Sequence, residues 1–376
     1  MKLFKYILPL WQGVSDKVEN CILLDFELYI DEYGLIRQRQ SESVSQKIAN
    51  AYADEAYRYI TLPAGHSEWA NQQLAPKLNF IVKSLPNLTS STVLEIGAGS
   101  TYLGEKLVKD FQLSSYVVVD PSVRETSDNL TVVRDYFSYE KVQELTVDYV
   151  LSLSCLEHVP DPITFLKDIN KLLLPRRGEA IILFPEVSRQ FNAGDINVLL
   201  HEHLTYFTKA GVLELLPQLG FEILAMEIEQ DLFKLHLKAV RSPLDVIKVA
   251  AEYELVNKFS DSLSLSLGKV REHLDKCLRS HQLVGFHGAC NGLNNLLASL
   301  DIQDFSHIKI LDLDTKKTGK FISACPNPIC LADKESYQDV DVVFVSAMTF
   351  YQPICKFLTE QIGVESHKIL PLCSLR

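Results

Sequence analysis

The chain has 376 residues, 47% hydrophobic and 23% charged, which is the balance of an ordinary folded protein and too long for one comfortable core. A formal net charge of −11 and a sequence pI near 5.4 argue against a generally basic nucleic-acid surface. The eight cysteines lie at 21, 155, 277, 290, 325, 330, 355 and 373 without a C-x-x-C pair, which argues against a disulfide scaffold or a four-cysteine zinc knuckle.

The opening "MKLFKYILPLWQG" carries an apolar run too short for a signal core and reads as structure. No later run approaches the roughly 18 apolar residues of a membrane span, so a soluble cytoplasmic protein is expected. Residues 1–85 read as an N-terminal cap or substrate-entry segment without a zinc motif. Within it, "CILLDFELYIDEYGLI" suggests a strand pair, and Ile48, Tyr52, Ala56 and Tyr59 fall at helical intervals. "LPAGHSEWANQQLAPKLNFIVKSL" predicts a further helix after the punctuation at Pro63 and Gly65. From 86 to 240 apolar strand candidates ("STVLEI", "YVVVD", "VDYVLSL", "EAIILF") alternate with helical stretches, the pattern of a parallel α/β sheet. Residues 241–281 read as a helical connector. A second, smaller α/β domain follows at 282–376, opening with the strand and glycine turn of "QLVGFHGACNG".

In "VLEIGAGSTYLG", Glu95 precedes Gly97 and Gly99, glycines that permit a tight turn and close approach of a cofactor to backbone amides. A G-x-G-x-x-G fingerprint would place its third glycine at Tyr102, which weakens a nicotinamide reading. Asp120 ends the next strand, where a carboxylate can accept hydrogen bonds from ribose hydroxyls, and Asp135 follows the third short strand, where it could face an adenine amino group. Each acid also has a plain reading as a strand-end or cap residue.

The stretches "VLEIGAGS" (93–100), "VVVD" (117–120), "RDYF" (134–137) and "LSCLEHVPDP" (153–162) together resemble the class I S-adenosylmethionine-dependent methyltransferases. The resemblance implies a Rossmann-like domain with S-adenosyl-L-methionine as cofactor. It places Gly97 and Gly99 at the methionine part, Asp120 at the ribose and Asp135 at the adenine, with Glu95 and Leu156 completing the cofactor site. His158 lies at the cofactor-facing end of the fourth strand, where a structural role is expected, and Glu157 is left open.

"HEHLTYF" (201–207) offers two histidines around a glutamate. Zinc needs three or four directed ligands; the H-E-x-x-H pattern is absent and no cysteine lies nearby, so no metal is expected. In an extended stretch His201 and His203 would share a face, opposite Glu202, and a histidine suits proton transfer near neutral pH. "HEHLTYFTKAGV" (201–212), "GFHGACNGLNNLL" (285–297) and "DLDTKKTGKFI" (312–322) resemble the sugar C-methyltransferases acting on nucleotide-linked keto-deoxysugars. That resemblance puts Glu202 and His203 at the reactive carbon, with His203 as base and Glu202 orienting it or binding a hydroxyl. His201 is a further catalytic candidate, and Tyr206, Asn291 and Asn294 are candidates for substrate binding. The chain departs from this group in having only Cys21 in its N-terminal segment, Leu200 where a tyrosine is common, and Asn291 where a lysine is common. Loop hydrogen bonding by the two histidines, helix capping by Asn291, Asn294 and Asn295, and a solvated turn for Lys316 and Lys317 stand as plain alternatives.

The expected activity is methyl transfer to a small polar metabolite, most specifically C-methylation of a nucleotide-linked keto-deoxysugar through an enolate. O- or N-methylation of another small or carrier-linked intermediate is one alternative; a non-catalytic nucleotide- or cofactor-binding module is another. A small-molecule partner is expected, with no nucleic acid and no membrane, and the choice between monomer and homodimer stays open.

Overall fold

The computed structural model describes residues 4–53, 68–125 and 127–374. Ala56, Tyr59, Pro63 and Gly65, which carried part of the helix and punctuation expected above, lie outside the described residues.

The central sheet contains Thr92–Ile96, Ser115–Val119, Thr131–Val133, Tyr149–Leu153, Glu179–Pro185, Phe221–Glu229 and Leu232–Ala239. Numbered 1 to 7 in chain order, these strands lie side by side as 3-2-1-4-5-7-6. The first five pair in parallel, with Leu94 opposite both Val117 and Val150, and only Leu232–Ala239 runs against its neighbours. Runs such as "VLEI" and "AIILF" suit strands covered on both faces. One face packs Leu94, Val117, Val150 and Ile182 on Ile169; the other packs Val93, Val118, Leu151 and Ile181 on Leu103, Leu107 and Phe80. The antiparallel hairpin turns at Gln230 and Asp231, both at positive φ (50° and 58°), a two-residue turn matching the twist of its strands. Its sequence lacks the Asn-Gly or Asp-Gly pair that announces such turns.

The C-terminal domain is a parallel sheet of Val284–His287, Ile308–Asp312, Ile329–Leu331, Val342–Val345 and Ile369–Pro371, ordered 3-2-1-4-5 in the same manner. A third sheet is antiparallel: Phe4–Pro9, Leu23–Ile30 and Ile36–Arg39 are joined by Thr205–Tyr206 from the histidine loop. The N-terminal strands share one apolar cluster with the C-terminal domain, in which Phe4, Phe26, Phe191, Phe259 and Phe286 are all buried. Helix Tyr253–Arg279 supplies the seam: Val256, Phe259, Leu263, Ser266, Val270, Leu274 and Cys277 bury one stripe at intervals of three and four.

The connector is shorter in helix than the sequence suggests. Residues 244–252 form no helix; buried Ile247 and Val249 alternate with exposed Val246 and Lys248, and the Val249 amide donates to the Tyr33 carbonyl (2.9 Å). No helix among the described residues is long and apolar enough to cross a membrane.

Phe259 stacks on Phe191 (centroids 4.4 Å apart) and meets Phe4 at 5.1 Å. Phe259→Ala is expected to cost about 3–5 kcal/mol and lower the thermal unfolding midpoint, whereas Leu265→Ala, on the exposed face of the same helix, leaves it nearly unchanged.

Candidate active site

A cavity of about 1930 Å³ is lined from both parallel sheets by residues that follow the carboxyl ends of their strands, the usual ligand position in such sheets. The central sheet contributes Glu95 to Ser100, Asp120 to Ser122 and Ser154 to Cys155; the C-terminal domain contributes His287 to Asn291 and Asp312 to Lys317. The volume exceeds the roughly 300–1,000 Å³ of a pocket for one drug-sized ligand.

The glycine loop is shaped as a cradle. Gly97 has φ +73°, and a Cβ there would lie 2.5 Å from the Cys155 sulfur, so a side chain is excluded by conformation and by space. The Gly99 amide donates to Asp120 Oδ2 (2.9 Å), while Oδ1 accepts from the Ser122 amide, the Ser122 hydroxyl and the Val123 amide. Oδ2 keeps a lone pair for a ligand hydroxyl. Glu95 is buried at the floor and accepts from the Tyr116 hydroxyl at 2.7 Å. Burial pushes its carboxyl up to about 8; the Tyr116 bond opposes the rise and the charge of Asp120 adds to it. Lys77, from helix Glu68–Ser84, and Lys234 also reach the lining. Burial lowers the Lys77 ammonium, Glu157 opposing and Lys234 adding to the shift; nothing in the local sequence marked this lysine.

Two of the expected cofactor residues lie off the wall. Asp135 is exposed and paired with Lys141 (2.7 Å), and its neighbours Tyr136 and Phe137 take the place at the lining. Leu156 is buried in the core between lining residues Cys155 and His158.

The histidine loop is not extended at its start. The His203 amide donates to the Leu200 carbonyl (3.0 Å), closing a turn that sends the two histidines to different neighbours. The shared face expected for them is therefore lost. His201 points into the N-terminal sheet, where Nε2 donates to the Leu8 carbonyl (3.3 Å) and the ring meets Phe26 edge-on. The Gln38 amide, turned so that its nitrogen meets acceptors, donates to the carbonyls of His201 (2.9 Å) and His203 (2.8 Å). Glu202 lines the cavity. His203 packs edge-on against His158, with centroids 4.9 Å apart, and it is His158 that lines the cavity beside Glu202. His158 Nδ1 lies 3.0 Å from the Glu202 carbonyl, an acceptor, so Nδ1 carries the hydrogen and Nε2 the lone pair. Burial lowers His158 to about 4, and lowers His203 well below the usual imidazole value, with His158 adding to the effect. Glu157 is buried, its Oε2 has no hydrogen-bond partner, and burial pushes it up to about 8.

Tyr206 is buried, its hydroxyl donating to the Leu200 carbonyl (3.3 Å). Asn294 is likewise buried, accepting from the Ala324 amide (2.9 Å) away from the lining. Asn291 lines the cavity while its amide donates to the Leu199 carbonyl (2.9 Å). Lys317 is held between Asp312 Oδ2 (2.9 Å) and the Ala289 carbonyl (3.0 Å). Nearby, His287 Nδ1 lies 2.5 Å from the Tyr337 hydroxyl.

The family described as "Methyltransferase domain" matches residues 66–226. This span is a methyltransferase domain. Its cofactor is S-adenosyl-L-methionine. Among curated proteins, the chain is 25% identical over 155 residues to a ubiquinone biosynthesis O-methyltransferase of Histophilus somni, covering 38% of this chain and 64% of that protein. It is 26% identical over 144 residues to the Vibrio cholerae protein of the same name, covering 36% and 58%. The chain thus spans less than two thirds of the length of these relatives. A solved S-adenosylmethionine-dependent methyltransferase from Mesorhizobium loti is 12% identical, with a TM-score of 0.36, over 44% of this chain and 97% of that one.

Two predictions attach to the cofactor half. Gly97→Ala is expected to weaken binding of S-adenosylmethionine by about 100-fold or more, as a misplaced cradle costs at least ~2–3 kcal/mol; calorimetric titration reads this directly. The second concerns pH. The folded protein holds a proton on Glu95 that the unfolded chain releases above pH 4.5, so stability falls as pH rises from 4.5 through about 8. Glu95→Gln removes this contribution. Going from about pH 5 to about pH 8, the unfolding midpoint of the variant should rise relative to that of the wild type, and a constant difference would count against a buried neutral acid.

Proposed function

We propose that the methyltransferase acts on the carbon beside a carbonyl in a small polar metabolite, most specifically a keto-deoxysugar carried on a nucleotide. The observation that carries this reading is the sharing of one cavity by the glycine loop, the His158 and Glu202 wall, and the C-terminal domain. A volume beyond that of one small ligand suits a cofactor together with an extended substrate.

S-adenosylmethionine, held in the cradle, supplies an electrophilic methyl group. Gly97 and Gly99 would leave room for it, Asp120 Oδ2 would accept from a ribose hydroxyl, and Lys77, on the same lining, would pair with the carboxylate of the methionine part. The carbonyl of the substrate acidifies the neighbouring C–H. The proton would pass to the His158–His203 pair, leaving the carbon nucleophilic toward the cofactor's methyl group; the methyl–sulfur bond would break as the carbon–carbon bond forms, its electrons staying on sulfur in the departing thioether. Glu202 fixes the pair through its backbone carbonyl and offers its carboxylate to a sugar hydroxyl. Lys316, Lys317 and Asn291, on the far wall, suit the phosphates of a nucleotide carrier.

Transfer to oxygen is the second reading, favoured by the names of the curated relatives and by Leu200 and Asn291, which differ from the sugar group. The deciding experiment supplies methyl-¹³C-labelled S-adenosylmethionine with nucleotide keto-sugars and, separately, hydroxylated aromatic acceptors, and reads the carbon shift of the new methyl. Attachment to carbon supports the first reading and attachment to oxygen the second; cofactor binding without transfer to either panel would identify a binding module. For C-methylation, His203→Ala and His158→Ala should each lower kcat by roughly 10²–10⁴-fold, with His201→Ala changing it far less. Equal, small losses at 201 and 203 would return the loop to a purely structural role.

A further inference from the structure

Glu157, His158 and His203 each offer one ligand atom, and these atoms all lie within 4.8 Å of one another. His158 Nε2 and Glu157 Oε1 lie 3.8 Å apart. A tetrahedral ion with bonds of about 2.0–2.1 Å separates its ligands by roughly 3.3–3.5 Å, so modest side-chain rotation brings the three into range. We propose that they form a binding site for a first-row divalent transition metal, of which zinc is the reference ion, set into the wall of the cavity.

Three independent features favour a metal. The donor set of two imidazoles and one carboxylate is borderline in softness, suits zinc and its neighbours, and is unlike the all-oxygen shell of calcium or magnesium. His158 is already oriented: its Nδ1–H donates to the Glu202 carbonyl, which fixes the tautomer and aims the Nε2 lone pair at the cluster, as second-shell carbonyls do for metal-bound histidines. Glu157 is buried with Oε2 lacking any hydrogen-bond partner, and a cation would satisfy it. His158 lines the cavity and gives an ion a route to the triad. The sequence hid this arrangement, because the apparent ligand pair of the histidine loop, His201 and His203, is split by the turn at Leu200, and the true partners lie 45 and 46 positions upstream of His203.

The site overlaps the histidine pair assigned to proton transfer, and in this respect it rests on the reading above. An imidazole lone pair on a metal cannot accept a proton, so metal occupancy and proton removal from carbon exclude each other. Zinc would then suppress turnover reversibly.

Metal binding is tested without substrate or cofactor, which separates it from the methyltransferase reading. Chelator-treated full-length protein is titrated with Co²⁺ followed by visible absorption, and with Zn²⁺ by calorimetry. One equivalent per chain is expected, with affinity falling at least about 10-fold in Glu157→Gln and His203→Asn and unchanged in His273→Ala, which removes a surface histidine. Absence of saturable binding, or equal affinity in every variant, would overturn the site. Should a variant fail to fold, as judged by its circular dichroism, X-ray absorption of the zinc-loaded wild type decides: a nitrogen and oxygen shell with imidazole scattering is expected, and a sulfur shell from the cysteines would sink the proposal.

Discussion

Residues 200–207 are tied by backbone hydrogen bonds to three separate parts of the molecule, and the geometry of the site depends on those ties. The Leu204 amide donates to the Glu157 carbonyl (2.8 Å), the Gln38 amide donates to the Leu204 carbonyl (3.0 Å), and the Val187 amide donates to the Phe207 carbonyl (3.0 Å). Each is a neutral bond with a net worth of only about 0.5–1.5 kcal/mol. Their combined effect is to fix three directions at once: His201 goes to the N-terminal sheet, Glu202 to the cavity and His203 to His158. A loop held by side chains alone would leave those directions to rotamer choice. Here the backbone decides them, and the N-terminal strands, which lie far from the glycine cradle in sequence, thereby take part in shaping the site.

Burial sets the protonation of this wall. Glu95 and Glu157 are pushed up and His158 and His203 pushed down, so uncharged forms prevail on both sides near neutral pH. Desolvation is the largest cause in every case, as expected where few opposite charges are in reach. A cavity wall of neutral acids and neutral imidazoles keeps its lone pairs available to a substrate proton or a cation, and it avoids the cost of placing charges in a poorly solvated interior.

The cofactor half of this arrangement was legible because its signals are local. Gly97 and Gly99 follow directly on a buried strand, and Asp120 ends the next one, so strand, turn and acid could be read from a few adjacent residues. Asp135 shows the limit: its strand is only Thr131–Val133, too short to fix which side chain turns inward, and the acid ends in solvent beside Lys141. The histidine half could not be read at all from spacing, since His201 owes its direction to Leu8 and Phe26, and His203 to a turn and to His158. The hairpin Phe221–Ala239 escaped because Gln230 and Asp231 adopt positive φ without the usual glycine. The non-helical stretch 244–252 escaped because its alternation rests on two buried residues, Ile247 and Val249.

Asn291 and Gly292 bear on how the C-terminal domain is coupled to the chemistry. Asn291 lines the cavity while its amide donates to the Leu199 carbonyl, and Asn295 donates to that same carbonyl at 2.8 Å. One turn of helix Asn291–Leu300 is therefore sewn to the residue just before Leu200 and the histidines. The approach is close: a Cβ on Gly292 would lie 1.3 Å from the Asn197 side-chain oxygen, so any larger residue would displace that side chain. A flexible ammonium at 291 could serve a phosphate but would not hold a carbonyl with the same geometry. The asparagine thus fixes a distance between the two domains, and with it the placement of the C-terminal wall of the cavity relative to His158 and Glu202.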